Sequence, residues 1–297
     1  LSASVDGRYR LWGREHQVVF GFNGYTNSTE DHRGNVAWED TWPNVFLWQG
    51  QIAEPYWDAL PDPWARGKAK TTQYGVFVSN RLKVTDSLAL ITGARLSSWR
   101  YRYSDMDTGE ITDDRKESRV VTPYLGLVYD LSDSLSAYAS YTTIFQPNSQ
   151  KDQANRLLDP QDGKSYEVGL KGAWFNNRLN ASAAIFQTRK NNLAVPDGGL
   201  TPTGEDSYVA TDSTRSRGWE VEVAGELAPG WQLQAGYGRA VIRDSDGTRL
   251  LTEAPKETFK LYTTWTPRSL QDLTVGGGVY WQRKVYAGWA EGSLAEI

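Results

Sequence analysis

Cysteine is absent from this 297-residue chain, methionine occurs once (Met106) and histidine twice. Without cysteine there is no disulfide framework and no thiolate metal site. His16 lies just after a turn signal and His32 in a polar stretch, and both are read as ordinary surface residues. No run approaches the roughly 18 apolar residues of a membrane-spanning helix, and mean hydropathy is −0.58. That excludes helical spans but not a β-barrel, whose strands show only every second residue to lipid. Charge of one sign is missing as well. Lys and Arg number 32 against 36 Asp and Glu, a net −4 that is interspersed and argues against a nucleic-acid partner. The G-x-S-x-G, Walker A, H-E-x-x-H and C-x-x-C patterns do not occur. Carboxylates are plentiful, but Glu220 and Glu222 stand two apart on one strand, a spacing common in a polar barrel interior. No enzyme is expected.

Aromatic residues are abundant, 12% of the chain, with 13 Trp and 16 Tyr. Two interfacial girdles of a barrel would use many of them; a Trp-rich soluble carbohydrate binder fits composition equally. The turn pattern separates the two. Tight turns are signalled at Gly13-Arg14, Thr85-Asp86, Ser132-Asp133-Ser134, Asn176-Asn177, Pro229-Gly230 and Pro267-Arg268-Ser269. Between them lies room for two long strands and one long loop. A soluble sandwich would turn every 8–12 residues. Alternation predicts twelve strands at about 2–12, 15–25, 71–84, 87–103, 119–131, 135–145, 163–175, 178–191, 208–227, 231–243, 257–266 and 272–285. Long loops are expected at 26–70, 104–118, 146–162, 192–207, 244–256 and after 285. The fold class is therefore all-β, a transmembrane antiparallel β-barrel.

Strict alternation assigns the faces. Leu88, Leu90, Thr92, Ala94 and Leu96 share one, and so do Leu135, Ala137, Ala139, Tyr141 and Thr143. Tyr166, Val168, Leu170 and Trp174 oppose Glu167, Gly169 and Lys171; Trp219, Val221, Val223 and Leu227 oppose Glu220, Glu222 and Glu226. Leu273, Val275, Val279 and Trp281 continue the apolar set. The polar face carries Arg81, Lys83, Glu167, Lys171, Glu220, Glu222 and Lys260, ions that a sandwich core would hold only if each were paired. Trp12, Tyr25, Tyr129, Trp174, Trp231, Trp265 and Trp281 fall near strand ends, where girdles belong. By this parity both chain ends point to the long-loop side. Complete bacterial barrels normally keep both termini on the other side, so an odd number of strands is expected to be missing at each end.

Loop 26–70 carries Trp38, Trp42, Phe46, Trp48, Tyr56, Trp57 and Trp64 among Asp, Asn, Pro and Gly. So many large aromatics either pack on one another or face a ligand. Asp105-Met106-Asp107-Thr108-Gly109-Glu110, with Asp113 and Asp114, has part of a calcium-loop composition. Its glycine and glutamate stand at the wrong positions, so a solvated loop is expected. Asp244-Ser245-Asp246-Gly247 reads as a tight loop tip.

Tyr141-Thr142-Thr143-Ile144-Phe145-Gln146-Pro147, Leu158-Asp159-Pro160 and Gly163-Lys164-Ser165-Tyr166-Glu167-Val168-Gly169-Leu170-Lys171 form ordered landmarks. Arg217-Gly218-Trp219-Glu220-Val221-Glu222, Gly230-Trp231-Gln232-Leu233, Ala254-Pro255-Lys256-Glu257-Thr258-Phe259-Lys260-Leu261 and Val275-Gly276-Gly277-Gly278-Val279 complete the set. This ordered set resembles TonB-dependent ferric-siderophore receptors, especially the hydroxamate and pyoverdine-type subgroup. The resemblance implies a 22-stranded outer-membrane barrel with an N-terminal plug, of which residues 1–297 are a portion without plug, early strands or last strands. It implies import of a ferric siderophore with TonB-relayed energy, TonB being engaged through the missing N-terminal region. Lipid surrounds the barrel, and phage or bacteriocin are further possible partners. The resemblance assigns no cofactor and no metal ligand, because iron arrives inside its chelate. The siderophore would then meet Trp38, Trp42, Trp48, Tyr56, Trp57 and Trp64 in the first loop, with Phe145 and Gln146 at a strand mouth. A passive porin-like channel is the alternative, with a soluble Trp-rich binder third.

Overall fold

The computed structural model describes residues 1–33, 65–270 and 272–286, with residues 31–33 and 65 described by their backbone alone. Its strands are β1 (Ser2–Leu11), β2 (Arg14–Arg33), β3 (Ala65–Lys83), β4 (Leu88–Asp105), β5 (Ile111–Ser132), β6 (Leu135–Gln146) and β7 (Gln161–Trp174). They continue as β8 (Leu179–Asn191), β9 (Ala194–Leu200), β10 (Asp206–Ala210), β11 (Thr214–Ala228), β12 (Trp231–Arg243), β13 (Glu257–Trp265) and β14 (Val275–Gln282). Twelve of them form one sheet in the order β1-β2-β3-β4-β5-β6-β7-β8-β11-β12-β13-β14, while β9 and β10 pair separately. The chain divides into two compact units. One comprises Leu1–Ala3, Phe22–Val76 and Ser97–Val120, the other Ser4–Gly21, Phe77–Leu96 and Val121–Ile297.

In the second unit the register turns sequence alternation into rows. Val168 pairs Ile185, and Ile185 pairs Trp219; side chains directly opposite share a face. These three are 55%, 64% and 39% exposed, which a water-soluble sheet would not tolerate as a continuous row. The opposite face carries Glu167, Lys171 and Glu222. Tyr138 donates to Glu167 Oε1 at 2.5 Å, and Lys171 Nζ stands 4.8 Å from the Tyr138 ring centroid. Apolar residues to lipid and paired ions to a lumen is the barrel arrangement. The seven aromatics expected in girdles are all exposed. Trp231 lies opposite Trp265 and donates its indole N–H to Thr263 Oγ1 at 2.8 Å, as an aromatic half in lipid and half in a polar layer does.

The tight turns stand where the turn signals lie. Trp12 and Gly13 connect β1 to β2 with φ of 53° and 73°. Phe175, Asn176 and Asn177 connect β7 to β8 with φ of 55°, 58° and 65°, values that asparagine tolerates well. Gly230 has φ 82°, and a Cβ there would lie 2.4 Å from the Thr266 carbonyl oxygen.

Three expectations about the longer connections and one about a histidine are corrected. Residues 104–118 are not a long loop: β4 and β5 run on until Met106–Glu110 remain between them. Sequence alternation there is carried by charged residues, which pair along the strands instead of marking a loop. Arg100 holds Asp114 with Nε at 2.8 Å, and Arg115 holds Glu117 at 3.0 Å. Likewise β2 extends to Arg33 and β3 begins at Ala65, so the loop placed at 26–70 begins later and ends earlier. The strand expected at 208–227 is two elements. The run breaks at Thr211-Asp212-Ser213; β10 pairs β9, folding residues of the 192–207 loop into a hairpin, and β11 enters the main sheet. His16 is not a surface residue but fully buried. The backbone N–H of Lys83 donates to its Nδ1 at 3.0 Å, so Nε2 carries the proton and donates to the Leu11 carbonyl at 2.9 Å. Tyr9 and Trp12 pack their rings around it.

Candidate functional site

At the long-connection end of the second unit, β6 delivers the expected pair Phe145 and Gln146. Consecutive strand positions face opposite ways, so they do not share a surface. Phe145 has the parity of Tyr141, whose ring lies 5.2 Å from that of exposed Tyr166, and it pairs Asp162. Gln146 lies on the polar face, opposite Gln161, and its Oε1 accepts from Lys190 Nζ at 3.3 Å.

Beneath that end lies a polar frame. Asn148 is 3% exposed. Its Nδ2 donates to the carbonyls of Asp159 (2.5 Å) and Asn192 (2.9 Å), and its Oδ1 accepts from Gln161 Nε2 at 2.9 Å. Asn192 in turn donates to the Pro160 carbonyl at 2.9 Å. These amides satisfy carbonyls of irregular backbone that no ladder pairs, and so they lock residues 146–162 against the start of the β9–β10 hairpin. Asp197 fixes that hairpin. It accepts from Ser207 at 2.5 Å, from the Gly199 N–H at 3.0 Å and from Gln153 at 3.1 Å. The Ser207 hydroxyl above all, then the Gly199 amide, holds its carboxyl below the usual range. The tip Asp244–Gly247 is tight as expected, the Asp244 carboxylate accepting the N–H groups of Asp246 and Thr248.

In the first unit a cavity of about 310 Å³ is lined by Lys70, Thr72, Tyr74, Trp99, Arg100 and Lys116, among others. Trp99 is 6% exposed. Tyr101, at the same parity of β4, stacks with it at 6.2 Å and 11°. Three acidic side chains of the 105–114 stretch, Asp105, Asp107 and Asp114, meet protein donors. Asp105 Oδ1 accepts the Thr108 and Asp107 N–H groups, which hold its carboxyl low. Asp107 receives Arg66, and Asp114 receives Arg100 and Arg102. Among the described residues no group of three His, Cys, Asp or Glu is placed to hold a metal ion.

The expected residues Trp38, Trp42, Trp48, Tyr56, Trp57 and Trp64 lie outside the described residues. Sequence reading missed the Asn148–Gln161–Asn192 frame and the Trp99–Tyr101 stack. The stack had a signal, since 99 and 101 are two apart in an alternating run. The amide frame joins positions 44 apart and had none.

Comparison with known proteins gives a consistent family. The β-barrel of TonB-dependent receptor-like proteins matches residues 1–294. The ferric-pyoverdine 358 receptor of Pseudomonas putida is 38% identical over 293 residues, covering 96% of this chain and 35% of that protein. The pyoverdine outer-membrane receptor FpvA from Pseudomonas aeruginosa PAO1, solved bound to pyoverdine, is similar with a TM-score of 0.79 at 36% identity. That likeness covers 96% of this chain and 42% of the other. A complex of FpvAI with pyocin S2 is similar at TM-score 0.78 and 35% identity, over 96% of this chain and 39% of that one. The chain spans a little over a third of the length of the curated ferric-pyoverdine receptors it matches. These relatives are receptors, which does not favour the porin alternative, and barrels of this kind sit in the bacterial outer membrane. On its sequence and on its fold, the chain belongs to the TonB-dependent receptor β-barrel family.

Proposed function

We propose that the protein works as a receptor that binds a ferric siderophore of the pyoverdine class and imports it with energy relayed by TonB. The observation that carries this reading is the likeness to a ferric-pyoverdine receptor across 96% of the chain at 38% identity. The chemistry agrees with it. A ferric siderophore arrives with its iron already coordinated, so the receptor supplies shape, aromatic faces and a few donors, and no metal ligand of its own.

The ligand-facing residues we infer in the first unit are Trp38, Trp42, Trp48, Tyr56, Trp57 and Trp64, with the Trp99–Tyr101 stack; Gln146, on the polar face of β6 in the second unit, is inferred separately as a ligand contact. Phe145, on the other face of β6, serves to seat the strand end that presents Gln146. TonB would be engaged through a plug region beyond these residues. A bacteriocin is a further proposed partner, on the likeness to the pyocin S2 complex.

The test is a binding screen of the full-length protein against a panel of ferric siderophores, read by tryptophan quenching. A pyoverdine-type chelate is expected to bind with Kd below about 1 μM, a gain of about 8 kcal/mol. Equal, weak response to every chelate in the panel would remove the assignment.

A further inference from the structure

Four cations stand side by side across neighbouring strands of the second unit. Lys164 on β7 pairs Arg189 on β8, Arg189 pairs Arg215 on β11, and Arg215 pairs Arg243 on β12. Directly opposite residues share a face, and at about 4.8 Å per strand the row spans roughly 15 Å. All four are exposed. Among the described residues none of them has a carboxylate at ion-pair distance; the Arg243 guanidinium donates to the Gly247 carbonyl at 2.5 Å. Like charges placed opposite one another repel. Four in a row are therefore a standing cost unless an anion fills the space between them.

The face they occupy is the apolar one. The next rung is Tyr166, Gln187, Arg217 and Val241, and the one after is Val168, Ile185, Trp219 and Arg239. Trp219 stacks on Tyr237 at 4.9 Å, and Tyr166 is exposed beside Tyr141. On β7 the apolar set runs from Tyr166 to Trp174. Eight residues at about 3.3 Å and a tilt near 40° give a belt of roughly 20 Å along the membrane normal. Lys164 stands one rung beyond Tyr166, Arg215 two beyond Trp219 and Arg243 three beyond Tyr237, so on tilted strands the row climbs outward from the edge of the belt through the headgroup layer. At the β11–β12 end the surface is concave, a groove of about 410 Å³ lined by Arg215, Arg217, Val241 and Arg243. One carboxylate also lines it, Asp244, whose Oδ1 accepts the backbone N–H groups of Asp246 and Thr248.

We propose that the Lys164–Arg189–Arg215–Arg243 row is a docking site for a phosphorylated lipid headgroup of the leaflet on the long-connection side. Long stems lie along the apolar rungs while their charged ends reach the phosphate layer. Guanidinium forks bind phosphate oxygens in pairs, so three arginines with one lysine fit a group bearing more than one phosphate. The lipid answers the charge repulsion and tethers this wall of the barrel to its leaflet.

The full-length protein, purified in detergent, would be titrated with bis-phosphorylated lipid A and with its dephosphorylated form, bound lipid being counted by native mass spectrometry. The variant is Lys164→Gln, Arg189→Gln, Arg215→Gln and Arg243→Gln together. Each basic residue near an anionic lipid surface is worth a factor of about five, so removing four should lower affinity for the phosphorylated lipid by about 600-fold. Binding of the dephosphorylated lipid should be weak and equal in both proteins. Retained gel migration as a folded barrel and unchanged siderophore binding show that the variant is intact. Should the quadruple variant not fold, the Arg189→Gln, Arg215→Gln pair and the loss of bound lipid at high salt read the same effect. Equal retention of phosphorylated lipid by variant and parent overturns the proposal. So does displacement of the lipid by an excess of inorganic phosphate, which would make the row a site for free anion.

Discussion

His16 joins the ends of two strands through one imidazole: Nδ1 accepts the Lys83 N–H at 3.0 Å while Nε2 donates to the Leu11 carbonyl at 2.9 Å. Both backbone groups lie where a ladder stops, and a buried amide left without a partner costs about 1–3 kcal/mol. His16→Phe keeps the ring volume and loses both bonds, so it should cost roughly 2 kcal/mol. His16→Ala adds a cavity and should cost more, about 3–4 kcal/mol. Thermal unfolding, read as loss of the fast-migrating folded form on gels, measures both. Parent-like stability in the alanine variant would show that the clamp carries no weight.

Ile185 sits between Val168 and Trp219 in the exposed apolar row. In a water-soluble protein a charge at so exposed a position would be nearly neutral. Facing lipid it is not: Ile185→Arg should cost about 2–4 kcal/mol near mid-belt. Gln187→Arg, one rung toward the cations, should cost less, about 1–2 kcal/mol, mostly from the lost Arg217 hydrogen bond and the like charge set opposite it. Unfolding titrations in lipid vesicles compare the two. An equal, small effect would remove Ile185 from the lipid face.

Gly225 has φ +133°, and a Cβ built there would lie 1.9 Å from the Arg178 carbonyl oxygen. The next ladder step is the irregularity between Glu226 and Ala228, so the close approach of β11 to β8 depends on that hydrogen. Gly225→Ala has to separate the strands or turn the backbone, an expected loss of about 3 kcal/mol or more. Gly109 offers the control, with φ +73° and open space around it. Gly109→Ala pays only left-handed strain, about 1–2 kcal/mol. Denaturant midpoints of the two variants should differ in that order.

The Met106–Glu110 turn should respond to acid. Backbone N–H groups of Thr108 and Asp107 hold the Asp105 carboxyl below its ordinary value. A carboxyl lowered in the folded state contributes stability that is full above its unfolded pKa of about 3.9 and is lost as pH falls through the lower, folded value. Hydrogen exchange at Asp107 and Thr108, corrected for intrinsic rate, should show steady protection between about pH 5 and 8. Protection should decline only in acid below the ordinary carboxylate range. Asp105→Ala should abolish it at every pH. A decline centred near neutrality would assign the protection to another group.

The strand ladder was legible because lipid demands the same alternation from every strand: the run after Ser134 and the run from Tyr166 to Trp174 each write one face. Tight turns were legible because Asn176-Asn177 and Pro229-Gly230 are chosen for backbone angle. Legibility failed where tertiary pairing replaces local pattern. Arg100 and Asp114 look like loop residues until the strands that carry them are seen to be adjacent. His16 looks like a surface residue until Lys83, 67 positions away, donates to it. The break at 211–213 was hidden because β10 and β11 are both strand-like, and only their partners differ. The candidate site was read from composition alone, and its aromatic loop lies outside the described residues. Its amide frame depends on contacts across 13 and 44 positions, which no local pattern encodes.

Ligand recognition separates the two residues at the end of β6. Gln146 shares the polar face with Gln161, while Phe145 shares the apolar face with Tyr141. If the chelate binds on the polar face, Gln146→Ala should weaken it a few-fold by removing one polar contact. Phe145→Ala should leave affinity nearly unchanged while lowering stability. Aromatic anchors are worth more, about 2 kcal/mol or thirtyfold each where they stand at the centre of an interface. Single alanine variants at Trp38, Trp42, Trp48, Tyr56, Trp57 and Trp64 should therefore divide into a few that lose tenfold or more and several that lose little. Tyr101→Ala should join the first group if its stack with Trp99 forms a ligand platform. Tryptophan quenching with a ferric pyoverdine-type chelate measures affinity, and gel migration reports the folded barrel. Unchanged affinity in all six loop variants and in Tyr101→Ala, with the barrel intact, would move the binding surface elsewhere.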